Sequence, residues 1–437
     1  DETAPGHVPK DSGGPAAAPP QGVRREPLMP QWQKNIYAIW TAQFLAMVGL
    51  TLIVPFLPFF MRTLGVTRLE DLERWSGFLF AAPFLVQTLA SPVWGVLGDR
   101  YGRKMMVLRA MFGIGATNML SAAVRRAPEL LVLRAVQGGV SGFVAASNAL
   151  VTAAIPVDRM GAALGLLATS LTAGGIIGPL AGGALADLVG YRNVFLITGG
   201  MCWLAALVVL VFVREEGWAP RADRAGPGVR ANLVYFLRSP ILRTTGLLLC
   251  TTQVAVMSVE PIFAVYVTTL GVPAPRVATV AGVLFSVTGL ASMLGAPLWG
   301  RYADRSGERR VLILTLLGSA AAYAAQAWAV SPAQVFVLRA ALGFFVGGML
   351  PPLYAIVARV TPADRLGGMM GLTSSAIMLG SVIGPLVGGL LSAAIGIRWI
   401  FGVAAAVLAL AALGTRGLSV AAADRATAGA PQPGAES

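Results

Sequence analysis

Glu260 is the one acidic residue that the hydropathy pattern places deep inside an apolar run. A carboxylate held out of water can take up a proton near neutral pH, or attract a cationic substrate. Gln253 and Met257 precede it at helical spacing, so the three share one helix face. Arg134 also lies well inside an apolar run, where a cation costs a few kcal/mol or more and so faces a partner or a cavity. Gln137, Ser141 and Asn148 follow on roughly the same face and make a polar stripe. Arg339 stands 205 residues after Arg134, with Gly343, Gly347 and Tyr354 near it. Two readings of Arg134 remain open: a cavity residue, or a structural arginine paired with Asp99. Glu260 is likewise either a coupling carboxylate or one hydrated near the end of its helix.

Nothing in the chain suits metal or acid–base catalysis through histidine. The only histidine is His7, in a Pro/Ala/Gly-rich stretch. The two cysteines, Cys202 and Cys250, sit in separate apolar runs without metal-ligand spacing. No enzyme, metal site or disulfide framework is expected.

The elements that must position these residues are membrane-length helices. Of 437 residues, 56% are hydrophobic and 12% charged, against roughly 25% charged in soluble domains. The apolar blocks run to about 20 residues, enough to cross a hydrocarbon core of roughly 30 Å. They do not alternate as barrel strands do. The spacing predicts twelve transmembrane helices over 36–58, 75–97, 105–123, 129–153, 161–185, 191–213, 242–267, 278–299, 309–328, 332–358, 369–392 and 398–415. Residues 1–31 and 417–437 read as tails, the first disordered. Residues 214–241 are the one long internal hydrophilic connection and divide 32–213 from 242–416.

The formal net charge of +13 reflects orientation, not nucleic acid. Arg100, Arg103, Lys104, Arg159, Arg301, Arg305, Arg309, Arg310, Arg359 and Arg365 fall on one side with both tails and the central connection. By the positive-inside rule that side is cytoplasmic.

A duplication underlies the pattern. Trp94, Asp99 and Gly102 recur as Trp299, Asp304 and Gly307, each 205 residues on. Asp158-Arg159 returns as Asp364-Arg365, and Gly178-Pro179 as Gly384-Pro385. With six spans per copy, the copies are parallel repeats about an axis along the membrane normal, which suits a central cavity opened by rocking. Each copy carries small-residue faces, at Gly174, Gly178, Pro179 and Gly182 and again at Gly384 and Pro385, that permit close helix contact. A charged turn, Gly98-Asp99-Arg100-Tyr101-Gly102-Arg103-Lys104, joins two spans in the first copy. The second retains Asp304, Arg305 and Gly307 but has Glu308 at a basic position.

These motifs resemble the major facilitator superfamily over essentially all of 32–416. The turn at 98–104 is similar to its signature loop, and Leu133-Arg134 with Gln137-Gly138 to a second signature. Gly174, Gly178, Pro179, Gly182 and Gly183 resemble the motif of twelve-span drug:proton antiporters. Asn35, residues 54–58, Trp75-Ser76-Gly77, Ser91-Pro92, Trp94-Gly95 and Leu108-Arg109 resemble the MdtG-like bacterial multidrug exporters. The resemblance implies an all-α membrane protein with the major facilitator fold, two six-helix repeats. It implies proton-coupled efflux of amphipathic small molecules by alternating access from the inner membrane, as a monomer in the lipid bilayer. No cofactor beyond the proton gradient and no nucleic acid are expected. Glu260 and Arg134 would couple protons, and Gly98, Asp99, Arg100, Gly102, Arg103, Lys104, Asp304 and Arg305 would latch the cytoplasmic side. Gln43, Met47, Gln137, Ser141, Asn148, Gln253, Met257, Arg339 and Tyr354 would line the substrate cavity. A transporter of a sugar, polyamine or metallophore on the same fold is the alternative.

Overall fold

In hydrocarbon no water is present to satisfy backbone N–H and C=O groups, so a chain this apolar must close its hydrogen bonds within helices. The structure, a computed structural model, describes residues 30–155, 159–215 and 228–418, and leaves out the side chains of Asp99 and Ala154. The tails and Asp158 lie outside the described residues. Every regular element described is helical: α1 (Gln31–Leu52), α2 (Leu57–Thr63), α3 (Leu69–Tyr101), α4 (Arg103–Ser121), α5 (Ala127–Val140), α6 (Phe143–Ala154), α7 (Met160–Val189) and α8 (Tyr191–Phe212) in the first repeat. After the short α9 (Val229–Arg238) come α10 (Pro240–Thr268), α11 (Val277–Ser306), α12 (Glu308–Gln326), α13 (Pro332–Val346), α14 (Leu350–Val360), α15 (Leu366–Ile395) and α16 (Ile397–Gly414).

These helices make twelve crossings, three of them broken: α1–α2 at Pro55, α5–α6 at Gly142 and α13–α14 at residues 347–349. Ten helical stretches are long and apolar enough to span by length and composition alone. The other two crossings, α4 and α12, have 19 residues each, about 28 Å of helix, and carry charged residues at their first positions. The spans expected over 129–153 and 332–358 coincide with the stretches Ala127–Ala153 and Pro332–Val360, each interrupted once. Gly142 adopts a left-handed φ of 110°, which a residue with a Cβ strongly resists. The polar stripe from Arg134 ends there, and Asn148 belongs to a separate helix.

The duplication extends to individual hydrogen bonds. Trp94 Nε1 donates to the Gly139 carbonyl at 2.6 Å and Trp299 Nε1 to that of Phe344 at 2.8 Å. Gly102 and Gly307 turn at φ 94° and 84°. Arg192 donates to the carbonyls of Ala122 and Val124, and Arg398 to that of Ala327.

Within each repeat the glycine faces seat one helix on another. An added methyl at Gly174 would overlap Met47 and Val48. At Gly178 it would overlap Thr51, and at Gly182 the backbone of Leu52, so α7 lies flush on α1. Gly380, Gly384 and Gly388 seat α15 on α10 in the same way. The repeats meet along two seams, α3 with α15 and α7 with α11. Gly77 and Gly389 touch across the first, and Gly183 and Gly282 press on the α11 and α7 backbones in the second.

Close backbone contact of this kind leaves no room for a methyl group. Gly182→Ala should destabilise the protein by about 1–3 kcal/mol, the ordinary penalty of overpacking, and lower its unfolding temperature in detergent. Gly165→Ala, in the same helix with open space around it, should leave that temperature unchanged or raise it slightly.

Candidate functional site

The cross-repeat contacts gather in one half of the seams. At the end away from the Arg/Lys-rich loops, glycine backbones meet across both of them. Towards the Arg/Lys-rich end the same four helices carry exposed apolar residues and uncrowded glycines. Leu89 and Val96 of α3 are 71% and 70% exposed, Leu298 of α11 is 53% exposed and Leu379 of α15 is 53% exposed. A methyl added at Gly95, Gly165, Gly300 or Gly371 would meet nothing within 4 Å. The cross-repeat hydrogen bonds and glycine contacts described, from Glu73–Ser392 and Asp187–Thr279 to Ser286–Ile176, lie in the halves of these helices away from the Arg/Lys-rich loops.

Carboxylates pin the closed end. Glu73, 2% exposed, accepts a hydrogen bond from Ser392 Oγ at 2.8 Å, joining α3 to α15. Asp187 accepts from the Thr279 backbone N–H at 2.8 Å and from its hydroxyl at 2.7 Å, joining α7 to α11. Asp187 and Ser392 stand 205 residues apart, and Glu73 and Thr279 206 apart, so the clamps occupy repeat-related positions. Both acids come from the first repeat and both hydroxyls from the second. Both acids stand near helix ends, whereas Glu260 lies inside α10. Glu73 escaped the sequence reading because the span was expected to begin at 75, whereas α3 begins at Leu69.

Glu260 lies on α10, within electrostatic reach of Arg339 on α13 but without an ion pair or hydrogen bond to it among the described residues. Arg339 is 1% exposed, with its guanidinium 3.4 Å from the centroid of the Phe263 ring. Tyr323 also interacts electrostatically with both charges. The sequence places Arg339 in the cavity lining; the structure buries it against Phe263, with its Nε and Nη2 without a hydrogen-bond partner among the described residues. Arg134, its repeat counterpart, is 8% exposed and donates to Gln137 Oε1 at 2.9 Å. Its Nε and Nη2, like Gln137 Nε2, have no hydrogen-bond partner among the described residues. The structure does not bring Arg134 to Glu260: the two lie in different repeats, and the cation interacting with Glu260 is Arg339.

The other expected cavity residues divide. Gln43 is fully buried and accepts from Ser170 Oγ at 3.1 Å, which takes it out of an open cavity. Met47 packs on Gly174, and Met257 on Gly384. Gln253 Nε2 donates to Ser381 Oγ at 3.0 Å across α10 and α15. Ser141 sits at the helix break, its hydroxyl on the Gln137 carbonyl and its own carbonyl held by Arg109. Asn148 and Tyr354 are half-buried. A shared helix face is legible from spacing, but the neighbour that covers it is not.

The signature turn is stitched into its own repeat. The backbone N–H groups of Arg103 and Lys104, at the N-terminus of α4, donate to Glu215 at 2.9 and 3.1 Å. A carboxylate is favoured there by the helix dipole. Lys104 Nζ caps α8 in return, donating to the carbonyls of Leu210 and Val213. Arg103 also reaches the Ala149 carbonyl. Asn35 brackets the backbone of Arg214 with bonds of 2.7 and 3.0 Å. Glu215 had been assigned to the connection, since nothing in its sequence shows the chain folding back. Arg100, Asp304 and Arg305 are exposed. In the second repeat the tie is made by Glu308, paired with Arg359 of α14. Beside the turn, Arg109 stacks 3.5 Å from the Trp94 ring centroid in a cleft of about 310 Å³.

The family model of the Major Facilitator Superfamily matches residues 39–280 and 277–435. Multidrug resistance protein MdtG of Serratia proteamaculans is 36% identical over 386 residues, covering 87% of this chain and 93% of that protein. The protein of the same name from Escherichia coli strain 55989 is 36% identical over 380 residues, covering 86% and 92%. Among solved structures, a bacterial homolog of the human lysosomal transporter Spinster, inward-facing and occupied, superposes with a TM-score of 0.73. It has 17% identity and covers 91% of this chain and 97% of that one. The human organic anion transporter MFSD10 gives 0.65 at 18% identity, over 89% and 100%. At these identities the two structures speak to the fold alone.

Losing one charged hydrogen bond at the closed end should shift the opening equilibrium by about 1.5–3 kcal/mol. Spin labels at Leu69 and Ile395, exposed at the closed ends of α3 and α15, should therefore show a longer-distance population in Glu73→Ala. Glu73→Gln, which keeps an acceptor for Ser392, should restore most of the short distances. Unchanged distances in Glu73→Ala would show that the glycine contacts alone hold this end.

Proposed function

This chain belongs to the Major Facilitator Superfamily, and from that premise we propose that it exports amphipathic small molecules by proton-coupled alternating access. The observation that carries the reading is a pair of helical repeats whose cross-repeat contacts gather at one end, in a chain 36% identical to multidrug resistance proteins over most of its length. Repeats joined at one end are read as one of the two states of a rocking transporter. Placed with the Arg/Lys-rich side in the cytoplasm, that state is open inward, and both termini lie in the cytoplasm of a cell whose inner membrane the protein spans. We read the protein as a transporter that works as a monomer, needs no cofactor beyond the proton gradient, and catalyses no covalent step.

Glu260 and Arg339 together form the coupling site in this reading, revising the pairing of Glu260 with Arg134. Deprotonated, Glu260 balances the buried guanidinium. When a proton neutralises the carboxylate, Arg339 keeps its charge among aromatic rings, Phe263, Phe285, Tyr323 and Tyr266, with no anion beside it. A buried charge pair losing one partner is strongly destabilised, so the two protonation states favour different packings of α10 on α13. Arg134, with unsatisfied donors on the opposite repeat, is left to meet substrate or water. The glycine faces let the helices slide as the repeats rock, while the ties at Glu215 and Glu308 keep each repeat rigid.

The test is uptake by proteoliposomes carrying an imposed pH gradient, with a lipophilic cation and a neutral amphiphile as probes. The wild-type protein should concentrate both probes, and an uncoupler should abolish that accumulation. Glu260→Gln should equilibrate the probes without concentrating them. If Glu260→Gln still accumulates probe against its gradient, the coupling assignment is wrong. If the wild type moves neither probe in a broad panel of amphiphiles, the cargo reading is wrong.

A further inference from the structure

Helix α9 belongs to no core, and none of its ten residues is buried. One face rests on the second repeat. Phe236 packs over Gly246 of α10, Asn232 lies against Gly368 of α15, and the Arg365 guanidinium sits 4.9 Å from the Tyr235 ring centroid. The neighbouring stripe is Val229, Leu233 and Leu237, spaced four residues apart and 82%, 42% and 51% exposed. No described residue covers it. On the far side of that stripe stand Arg230 and Arg238, and Arg243 follows within the first turn of α10; all three are exposed.

Position decides what meets this face. Ser239 caps α10, accepting from the Leu242 N–H, and Pro240 begins that helix. α9 therefore ends where a membrane span starts, at the depth of the headgroups on the Arg/Lys-rich side. A short helix with an apolar stripe bordered by arginines lies in such an interface, its apolar side in the acyl boundary and its cations among anionic headgroups. A soluble partner would have to compete with the bilayer for the same stripe. α9 touches the inner ends of α10 and α15, which in the exporter reading bound the inward mouth.

We infer that α9 is an interfacial clamp: Arg230, Arg238 and Arg243 bind anionic phospholipid headgroups while Val229, Leu233 and Leu237 insert beneath them. Lipid engagement thereby holds the inner ends of α10 and α15 and sets how readily the mouth closes. The link to transport rests on the exporter reading; the lipid contact does not.

The full chain, with Cys202→Ser and Cys250→Ser, is labelled with a nitroxide through Leu233→Cys. It is then reconstituted in phosphatidylcholine vesicles, alone or mixed with phosphatidylglycerol. In mixed vesicles the label should be relaxed more by oxygen, which concentrates in lipid, than by a water-soluble nickel complex. The preference should weaken in pure phosphatidylcholine and in the Arg230→Gln, Arg238→Gln, Arg243→Gln triple variant. Each arginine lost should weaken headgroup binding about fivefold. Predominant nickel relaxation in both vesicles would overturn the interfacial placement and leave the stripe to a soluble partner. Oxygen relaxation indifferent to phosphatidylglycerol and to the triple variant would overturn the headgroup contact. Probe efflux should change with phosphatidylglycerol in the wild type and lose that dependence in the triple variant. Efflux that ignores phosphatidylglycerol while the label responds would overturn the coupling to the mouth. Efflux absent in both vesicles would overturn the exporter reading and leave the lipid contact to be decided by the label.

Discussion

The structure depends on backbone-to-backbone contact between helices in a medium that offers no hydrophobic drive for them to associate. Lipid tails are as apolar as leucine, so helices in a bilayer hold together through close packing and a few hydrogen bonds. Here α7 and α15 supply that closeness twice over. Each lays one row of glycines on its own repeat, at Gly174, Gly178 and Gly182 or at Gly380, Gly384 and Gly388, and turns a further glycine, Gly183 or Gly389, to the other repeat. The helices that build each half are thus the helices that join the halves. Rocking one half against the other changes only the second set of contacts.

On this symmetric frame the polar groups are placed without symmetry. Both clamp acids, Glu73 and Asp187, belong to the first repeat and both hydroxyls to the second. Glu260 has the apolar Val54 at its repeat-related position. Arg134 and Arg339 occupy equivalent sites, yet one is held by Gln137 and the other by the Phe263 ring and the field of Glu260. The two signature turns carry opposite charges into their ties, a cation at Arg103 and an anion at Glu308. Duplication supplied a pair of scaffolds, and divergence in a handful of charged positions broke the symmetry of the pair.

The charged turns make the same division visible locally. Gly102 and Gly307 bend the chain alike, since each must reverse direction in a short loop. What the bend then grips differs. The first turn is locked to the end of α8 by Glu215 and Lys104, and the second to α14 by Glu308 and Arg359. Each turn holds its own repeat together, which lets the repeats move as bodies.

Much of this was legible in the residues themselves. Apolar runs of spanning length, the 205-residue repeat and the Arg/Lys asymmetry follow from local composition, and so twelve crossings in two parallel repeats could be read directly. The glycine faces could be read too, because glycine at helical spacing has few other uses in a membrane helix. Tertiary structure alone decided which faces meet. Arg339 stacks on Phe263, Gln43 and Gln137 are sealed between helices, and Glu73 and Asp187 hold the seams, because each of these neighbours lies on another helix, tens or hundreds of residues away. Spacing along a chain records which side chains share a face; burial and pairing depend on the neighbour packed against that face, and only the assembled bundle supplies it.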